Sequence, residues 1–393
     1  MRLIILLLSC FFFWSCGNDD TNEFQPIPEN ELFNLSDVLS IDFSNLPNYN
    51  NQSIPDYITK DNSTLSNPIT NEGAILGRVL FYDKQLSSTN SISCASCHKQ
   101  SLAFGDDSQV SSGVNGVTGR HSMRLVNARF SNEHKFFWDE RAETLETQTT
   151  MPIQDHIEMG FSGMDGDLNF NDLVSKLETL EYYPPLFNFA FGSTTISEDR
   201  IQDALAQFVR SIQSFDSKFD EGRSAAINDV QPFTNFTAQE NLGKQLFLQP
   251  PVFNNQGIRT NGGIGCAGCH QSPEFSIDPN SLNNGVIGTT DNSGTDFTVT
   301  RSPSLRDVVK ADGTANGPFM HIGVSTNIAT VLNHYDQIII AGNTNLDPRL
   351  TPNGIGQQLN LTQNEKDAVI AFIQTLAGND IYTNEKWSNP FIN

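Results

Sequence analysis

Two short stretches of the chain place two cysteines and a histidine in the same fixed order. They read Cys94-Ala95-Ser96-Cys97-His98 and Cys266-Ala267-Gly268-Cys269-His270. Two thiols separated by two residues can each add to a vinyl group of haem, and a histidine directly after them is placed to ligate the iron. Both stretches therefore predict a covalently bound haem c, with His98 and His270 as iron ligands.

Two other kinds of cysteine site fit part of this pattern. A four-cysteine zinc site has the right number of thiols, but it gives no reason for a histidine at the same offset in both copies. A redox-active dithiol needs one Cys-x-x-Cys pair, whereas this chain has two pairs more than 170 residues apart. Because two complete copies arise by chance far more rarely than one, the haem interpretation is favoured.

Length and charge narrow the class of protein further. A chain of 393 residues is longer than a typical single domain, so two domains are expected. The formal net charge of −22 argues against nucleic acid or an anionic membrane surface as a partner. It permits a basic partner such as a small cationic cytochrome, although acidity also simply keeps an exported protein soluble.

Residues 1–16 resemble a bacterial lipoprotein signal segment. Arg2 precedes an apolar run over residues 3–8, which is too short to remain as a membrane-spanning helix. Cys16 is then the expected lipidated residue and the expected membrane anchor, with simple signal-peptidase cleavage as the alternative. Both routes export the chain, so we expect a periplasmic or cell-surface protein.

A repeated segment divides the rest of the chain. Leu76-Gly77-Arg78-Val79-Leu80-Phe81 precedes the first haem stretch, and Leu242-Gly243-Lys244-Gln245-Leu246-Phe247 precedes the second. Repetition on this scale indicates two related haem domains. We predict an Asn- and Ser-rich, loosely structured tether and extension over residues 17–67, an N-terminal haem c domain over residues 68–228 and a C-terminal haem c domain over residues 229–393.

Helical periodicity dominates the pattern, and strand alternation is scarce. Apolar residues at helical spacing predict a helix across residues 201–215, and a capping box begins another over residues 362–378. A second capping box, formed by Thr237 and Glu240, begins the helix before the second haem. The predicted fold class is therefore mostly α, with two cytochrome c-like haem domains, long loops and few strands.

Further motifs lie between and after the two haem stretches. They occupy residues 103–106, 136–141, 145–148, 152–160, 301–306 and 318–321. Their content and order resemble the bacterial di-haem cytochrome c peroxidases and their relatives of the MauG type. The resemblance runs from about residue 68 to residue 378, and several short motifs in one order are far more specific than any one of them.

The resemblance implies roles for five residues near the haems. Trp138 matches the tryptophan that lies between the two haems and relays electrons. Gln148 and Glu158 match the polar pair on the open face of the first haem, and Pro152 matches the proline that lines the same face. Arg301 begins one of the matching motifs and is expected to bind the cofactor.

These residue types suit the reduction of a peroxide. Heterolysis of a peroxide O–O bond needs an open coordination position on iron, a base to move a proton, and two electrons. The carboxylate of Glu158 can shuttle the proton from the inner to the outer oxygen, and the amide of Gln148 can orient the peroxide. Outside this order of motifs, a solvated acid at a helix end would be the ordinary interpretation of Glu158.

The resemblance also suggests Tyr335 as the distal ligand of the second haem. It follows His321 by 14 residues, at a position that is a ligating methionine in the peroxidases and a ligating tyrosine in MauG. Tyrosinate stabilises ferric iron and lowers the reduction potential, whereas a thioether raises it. A neutral core tyrosine is the alternative interpretation, and Met320 and His334 are lesser candidates.

Three positions depart from the family pattern. His121 stands where the family has an asparagine that binds calcium between the domains. Either a Ca²⁺ ion still binds there, or His121 is free to cap the first iron. Ile264 replaces the surface tryptophan through which MauG oxidises its protein substrate, which argues against that reaction. Ile322 replaces the aspartate that usually follows His321.

The resemblance therefore implies an exported peroxidase that reduces hydrogen peroxide to water. Electrons from a small redox protein, such as a mono-haem cytochrome c or a cupredoxin, would pass from the C-terminal haem to the N-terminal haem. The alternatives are a MauG-like oxidase that acts on a protein or small molecule, and a non-catalytic di-haem electron carrier. For the oligomeric state of the protein, a homodimer is one expectation.

Overall fold

Helices supply most of the regular structure of the protein. The computed structural model describes residues 35–277 and 279–392. Its α-helices are α1 (Asn71–Tyr82), α2 (Cys94–Cys97), α3 (Leu145–Thr150), α4 (Phe170–Glu178), α5 (Tyr183–Phe191), α6 (Glu198–Ser211), α7 (Lys218–Ser224), α8 (Ala238–Leu248), α9 (Ile328–Asp336) and α10 (Gln363–Gln374). The mostly α fold class is confirmed.

The strands form two short antiparallel ribbons. They are β1 (Pro251–Phe253) paired with β2 (Arg259–Gly262), and β3 (His270–Gln271) paired with β4 (Ser276–Ile277). Short 3₁₀ turns cover Lys84–Leu86, Gln100–Leu102, Cys266–Gly268, Pro348–Leu350, Pro352–Gly354, Asp380–Tyr382 and Glu385–Trp387. Loops connect these elements, as the sequence predicted.

The first hydrophobic core is built on the crossing of α1 and α6. At the crossing point Gly77 has no side chain, and a Cβ atom there would clash with the carbonyl oxygen of Ala204 and press on Phe208. The two backbones can therefore approach this closely only with glycine at position 77. Apolar side chains on both helices, such as Leu80 and Leu205, complete the core.

The second core repeats this construction with α8 and α10. A Cβ atom at Gly243 would clash with the carbonyl oxygen of Ala368 and press on Phe372. The same three residue types, glycine, alanine and phenylalanine, thus make both crossings. The segment repeated in the sequence corresponds to a repeated helix pair, and each pair stands beside one haem stretch.

The predicted capping boxes begin the helices of the second core. The side chain of Thr237 accepts a hydrogen bond from the backbone N–H of Glu240, whose carboxylate accepts one in return. The same exchange starts α10 at Thr362. This helix ends at Gln374, before the predicted stop at residue 378, and α6 spans Glu198–Ser211 instead of residues 201–215.

Both ends of the described chain pack on the first core. Leu35 and Tyr49 are fully buried, and the Tyr49 hydroxyl donates to the carbonyl of Lys386. Trp387, near the C-terminus, is buried in the same core. Residues 35–67 are therefore not the loose extension that their polar composition predicts, because a few apolar side chains anchor them.

The two cores also do not divide at residue 228. Phe219 already belongs to the second core, whereas Trp387 returns to the first. The predicted signal segment, Cys16 and the start of the tether lie within residues 1–34, outside the described residues. Within residues 35–277 and 279–392, no helix is long and apolar enough to cross a membrane.

Candidate haem pockets

The two cysteines of the first Cys-x-x-Cys-His stretch lie in the short helix α2, and His98 follows directly after it. The hydrogen bonding of His98 leaves one ring nitrogen able to bind iron. Nδ1 of His98 lies 3.2 Å from the carbonyl oxygen of Phe104. A carbonyl only accepts, so Nδ1 carries the proton and Nε2 keeps the lone pair that binds iron. Burial lowers the pKa of His98, which keeps the imidazole neutral.

A cavity of about 580 Å³ opens beside α2. Every residue that the sequence predicted for the first haem lines it: Cys94, Cys97, His98, His121, Trp138, Gln148, Pro152, Glu158 and Arg301. Apolar walls such as Phe81 and Leu205, two thiols and one imidazole are the surroundings that a covalently bound haem requires. The residues present therefore fit the group that the Cys-x-x-Cys-His stretch implies.

The carboxyl group of Glu158 lines this cavity and titrates differently because of it. Burial raises its pKa to about 7, repulsion from Asp155 adds to the effect, and Arg141 partly offsets it. Its charge in turn raises the pKa of both Cys94 and Cys97, so it stands close to the haem attachment point. A carboxyl that titrates near neutrality can both take and give a proton.

Gln148 and Pro152 reach the same cavity from α3 and the turn that follows it. Thr144 caps α3 by accepting from the backbone N–H of Thr147 at 3.1 Å. This cap fixes the start of the helix, and Gln148 then lies one turn before Pro152. The three residues that the family resemblance grouped together thus line the same cavity.

A loop that includes Val114 and Asn115, which the sequence reasoning missed, holds the backbone of Glu158 in place. The backbone N–H of Val114 donates to the carbonyl oxygen of Glu158 at 3.0 Å, and that of Asn115 donates to Ile157 at 3.2 Å. A Cβ atom at Gly113 would clash with the Ile157 carbonyl. The sequence signal was weak: Ser112, Gly113 and the neighbouring small residues indicate a turn without showing what it touches.

Trp138 lies where the two halves of the molecule meet. Its indole Nε1–H donates to the carbonyl oxygen of His121 at 2.7 Å, and its ring stands edge-on to His321 with centroids 6.3 Å apart. The carbonyl of Trp138 accepts from the backbone N–H groups of Thr300 and Arg301. Trp138 therefore contacts both the first cavity and the second half, as a relay position requires.

Arg301 brings a buried positive charge from the second half into the first cavity. Burial lowers its pKa to about 10, so it remains a cation at neutral pH. The guanidinium lies 4.9 Å above the centre of the Phe136 ring and donates to the carbonyl of Lys135. Since haem carries two propionate groups, a cation in this wall fits the predicted role in cofactor binding.

His121 is held in the same wall by its neighbours. Its Nδ1 lies 2.9 Å from the carbonyl oxygen of Ser108, and its backbone N–H donates to the carbonyl of His321 at 2.7 Å. Nε2 is thus the nitrogen with a free lone pair. The arrangement is compatible with either prediction for His121.

Across residues 35–277 and 279–392, no group of three or more His, Cys, Asp or Glu side chains could hold a metal ion. The calcium ion between the domains remains a prediction.

The second stretch has the same residue order in a different local structure. Cys266 begins a 3₁₀ turn, and His270 begins β3. Burial lowers the pKa of His270 to about 4, partly opposed by a hydrogen bond to the carbonyl of Pro303. This histidine is therefore also neutral.

Tyr335 lies close to this second stretch, on α9. Burial raises the pKa of its phenol, and charge on Cys269 adds to the effect. The phenol oxygen accepts a hydrogen bond from Nδ2 of Asn284 at 3.1 Å. The same nitrogen lies 3.6 Å from the sulfur of Met320. Asn284, which no sequence pattern singled out, therefore stands between two of the predicted ligand candidates.

Two further predictions concern residues around the second site. Nε2 of His334 lies 2.9 Å from the carbonyl oxygen of Asn284, so this nitrogen donates to a backbone group and is not available to iron. Ile264 is buried in the second core, with only 7% of its surface exposed. It therefore offers neither the ring nor the surface position of the tryptophan it replaces.

The two helical halves, each with a neutral histidine behind a Cys-x-x-Cys pair, define a di-haem protein. The sequence profile of the family described as di-haem cytochrome c peroxidase matches residues 71–225. The methylamine utilization protein MauG of Methylophilus methylotrophus is 30% identical over 345 residues, which cover 85% of this chain and 90% of that protein. The chain belongs to the di-haem cytochrome c peroxidase and MauG family.

Both branches of this family are represented among its relatives. The cytochrome c551 peroxidase of Nitrosomonas europaea is 26% identical over 320 residues, which cover 78% of this chain and 80% of that protein. A crystal structure of a MauG-like protein associated with microbial copper homeostasis has a TM-score of 0.66 at 27% identity, covering 86% of this chain and 99% of that chain. The predicted family is confirmed.

Proposed function

We propose that this protein reduces hydrogen peroxide at its N-terminal haem, with electrons that enter through its C-terminal haem. One peroxide takes up two electrons and two protons and yields two water molecules. The observation that carries the proposal is the buried carboxyl of Glu158, with a pKa of about 7, in one cavity with Gln148 and Pro152. Relatives that are themselves named peroxidases support it.

The side chains of the first cavity have different proposed roles in proton transfer and in positioning the peroxide. When bound, haem supplies a redox-active iron at each site and, at the first, an open coordination position for peroxide. With haem bound, Glu158 in its carboxylate form would take one proton from the peroxide and return it to the leaving oxygen, which would depart as water. The Gln148 amide donates to the peroxide and orients it, and Pro152 keeps the wall rigid.

Trp138 is the proposed electron route between the two haems. Its ring contacts His321 on the side of the second half and its indole N–H is fixed by the His121 carbonyl on the side of the first. We further propose that Cys94, Cys97, Cys266 and Cys269 hold both haems covalently. Each pair stands directly before its histidine, in the Cys-x-x-Cys-His order that haem c attachment uses.

The electron donor is proposed to be a small basic redox protein. The formal net charge of −22 favours such a partner through electrostatic steering. We propose an exported location with a lipid anchor at Cys16, which the signal-like residues 1–16 and the attachment of haem c outside the cytoplasm support. A cationic mono-haem cytochrome c is the partner to try first, and raising the salt concentration should slow its reaction.

The test is stopped-flow spectroscopy of the protein loaded with both haems. Peroxide is added either to the fully oxidised protein or to the protein carrying one electron on its second haem. A peroxidase gated by electron supply should react fast only in the half-reduced form and should turn over with a donor. Absence of donor-dependent peroxide consumption under both conditions would exclude the proposed function.

A MauG-like oxidase is the second candidate, favoured by Tyr335 beside the second stretch. If Tyr335 binds the second iron as tyrosinate, it favours ferric iron and the storage of oxidising equivalents. The buried Ile264 argues against the protein-oxidising route of MauG. In the stopped-flow experiment this candidate would react with peroxide in the fully oxidised form and would stay oxidised for a long time.

A further inference from the structure

Two tyrosines and one carboxylate form a cluster that the peroxidase chemistry described above does not use. The hydroxyls of Tyr182 and Tyr183 both donate to Oδ2 of Asp83, each at 2.7 Å. The other carboxylate oxygen accepts from the backbone N–H of Gln85 at 2.8 Å. Bonds of this length to a carboxylate are charge-assisted and strong. We call Asp83, Tyr182 and Tyr183 the tyrosine–aspartate cluster.

The cluster extends from the first haem attachment point toward the surface. Tyr183 is fully buried in the first core, against which Cys94 also packs. Cys94 lies near enough for a charge on its sulfur to raise the pKa of the Tyr183 phenol. The ring of Tyr182 follows, with its centroid 4.6 Å from that of Tyr183, and is partly exposed to solvent.

The shared carboxylate makes these phenols good sites for losing an electron. A neutral tyrosine that loses an electron becomes strongly acidic, so its proton must leave as the electron does, and a hydrogen-bonded carboxylate is the group to receive it. Trp138 differs in this respect, because its N–H donates to the backbone carbonyl of His121. A peptide carbonyl is not a base, so an electron vacancy can pass through Trp138 but settles on a tyrosine that has lost its proton.

We propose that the tyrosine–aspartate cluster is a redox-active site that supplies electrons to the first haem pocket when no external donor is available. This inference rests on the proposed function, because hydrogen peroxide is the oxidant. Each phenol O–H gives up one electron and one proton, with Asp83 accepting the proton before it passes on. Two tyrosines and one hydrogen peroxide then yield two tyrosyl radicals and two water molecules.

The test is electron paramagnetic resonance of the fully oxidised, haem-loaded protein, frozen shortly after peroxide is added without a donor. We expect a tyrosyl radical in the wild type and its loss in the double variant Tyr182→Phe, Tyr183→Phe. Asp83→Asn keeps a hydrogen-bond acceptor but cannot take the proton, so it should lose most of the signal. The matched control is Tyr82→Phe, since the Tyr82 hydroxyl donates to the backbone carbonyl of Trp387 at 2.7 Å.

Each outcome supports or overturns the assignment of the radical to the tyrosine–aspartate cluster. A tyrosyl signal that persists in the double variant, or disappears in Tyr82→Phe, would overturn the assignment, and a signal unchanged by Asp83→Asn would overturn the proton transfer. Peptide mass mapping of peroxide-treated wild type, which needs no variant, should find oxidation or cross-linking at Tyr182 and Tyr183. Normal donor-dependent turnover without any tyrosyl radical would refute this inference alone, whereas absence of turnover would refute the proposed function with it.

Discussion

The two haem-binding halves share one scaffold and differ in the side chains that lie near their Cys-x-x-Cys-His stretches. In the first half α1 crosses α6 at Gly77, and in the second α8 crosses α10 at Gly243, each against an alanine carbonyl. The side chains near the two stretches do not match. The first carries Glu158 in a cavity, and the second carries Tyr335 packed near the cysteines.

A basic residue follows the crossing glycine in each half, and its side chain makes different contacts in the two halves. Nε of Arg78 donates to the carbonyl of Ser388 at 2.6 Å and so holds the C-terminal tail on the first half. Nζ of Lys244 donates to the carbonyl of Asp229 at 2.8 Å and holds the segment between the halves. Burial lowers the pKa of Lys244 to about 8, with Asp229 opposing the shift. The helix pairs are therefore a common frame to which different loops are attached.

The difference between the halves shows that function resides in the loops beyond each haem stretch. The residues around Glu158 come from loops and from the six-residue helix α3, and the residues around Tyr335 come from a distant loop and α9. A helix pair can be duplicated with its glycine and its caps, while the opposite faces diverge. Under the proposed function, one half receives peroxide and the other receives electrons.

The strongest way to separate the halves is to remove one attachment site at a time. Cys94→Ala with Cys97→Ala should leave one covalent haem in the denatured protein and abolish peroxide turnover. Cys266→Ala with Cys269→Ala should also leave one haem but remove the entry point for electrons. Mass spectrometry of denatured protein matured in a competent host counts the haems. Fewer than two on the wild type would refute the covalent assignment.

The next largest effect should come from Glu158. Glu158→Gln keeps size and hydrogen bonding but removes the base, so peroxide turnover should fall by about 10²-fold or more, the usual scale for a positioned acid–base group. Both haem spectra should persist. The matched control is Glu143→Gln, because the Glu143 side chain is 77% exposed. Equal activity of the two variants would mean that the base lies elsewhere.

The pH dependence follows from the same carboxyl. Burial raises the pKa of Glu158 to about 7, and only the ionised form can accept the first proton. The second-order rate constant for peroxide should therefore be level above that pH and fall about tenfold per unit below it. In Glu158→Gln this inflection should vanish. A wild-type profile without an inflection between about pH 6 and 8 would contradict the assignment.

The second half should respond to changes at Tyr335 in its spectrum and potential. As a ligand, Tyr335 makes that haem low-spin ferric without the near-infrared band of His–Met ligation, and holds its potential low. Tyr335→Met should raise the potential and make the half-reduced state easier to populate. Tyr57→Phe is a suitable control, since Tyr57 bonds Asp220 away from α9. A His–Met band in the wild type, or a spectrum that ignores Tyr335→Phe, would refute ligation by Tyr335.

Much of this arrangement could be predicted because short motifs hold both the chemistry and the folding signal. The cysteines and histidines are adjacent in sequence, and Gln148, Pro152 and Glu158 lie within eleven residues, so local structure alone brings them near each other. The repeat around Gly77 and Gly243 was visible for the same reason. The family resemblance then supplied the order in which these parts are used.

The remainder depends on contacts between distant segments, which leave little trace in composition. Nothing near Asn284 indicates that its amide reaches Tyr335, 51 positions later. The extension looked loose since only isolated residues such as Leu35 and Tyr49 anchor it. One signal was overlooked: Ala204 and Phe208 have the same spacing as Ala368 and Phe372, and they mark the partner helices of the two glycines.

The smallest effect should come from the shared scaffold, where the halves should behave alike. Gly77→Ala and Gly243→Ala each force a methyl group against a backbone carbonyl that cannot move aside, so each should lower the free energy of unfolding by about 1–3 kcal/mol. Gly294→Ala, with nothing within 4 Å of the added Cβ, is the control and should change it by less than about 0.5 kcal/mol. Hydrogen exchange resolves the two halves: Gly77→Ala should speed exchange in α1 and α6, and Gly243→Ala in α8 and α10. If each variant sped hydrogen exchange equally in both helix pairs, the two halves would unfold as one cooperative unit. The helix pair would then be repeated in structure, but the two copies would not be independently stable.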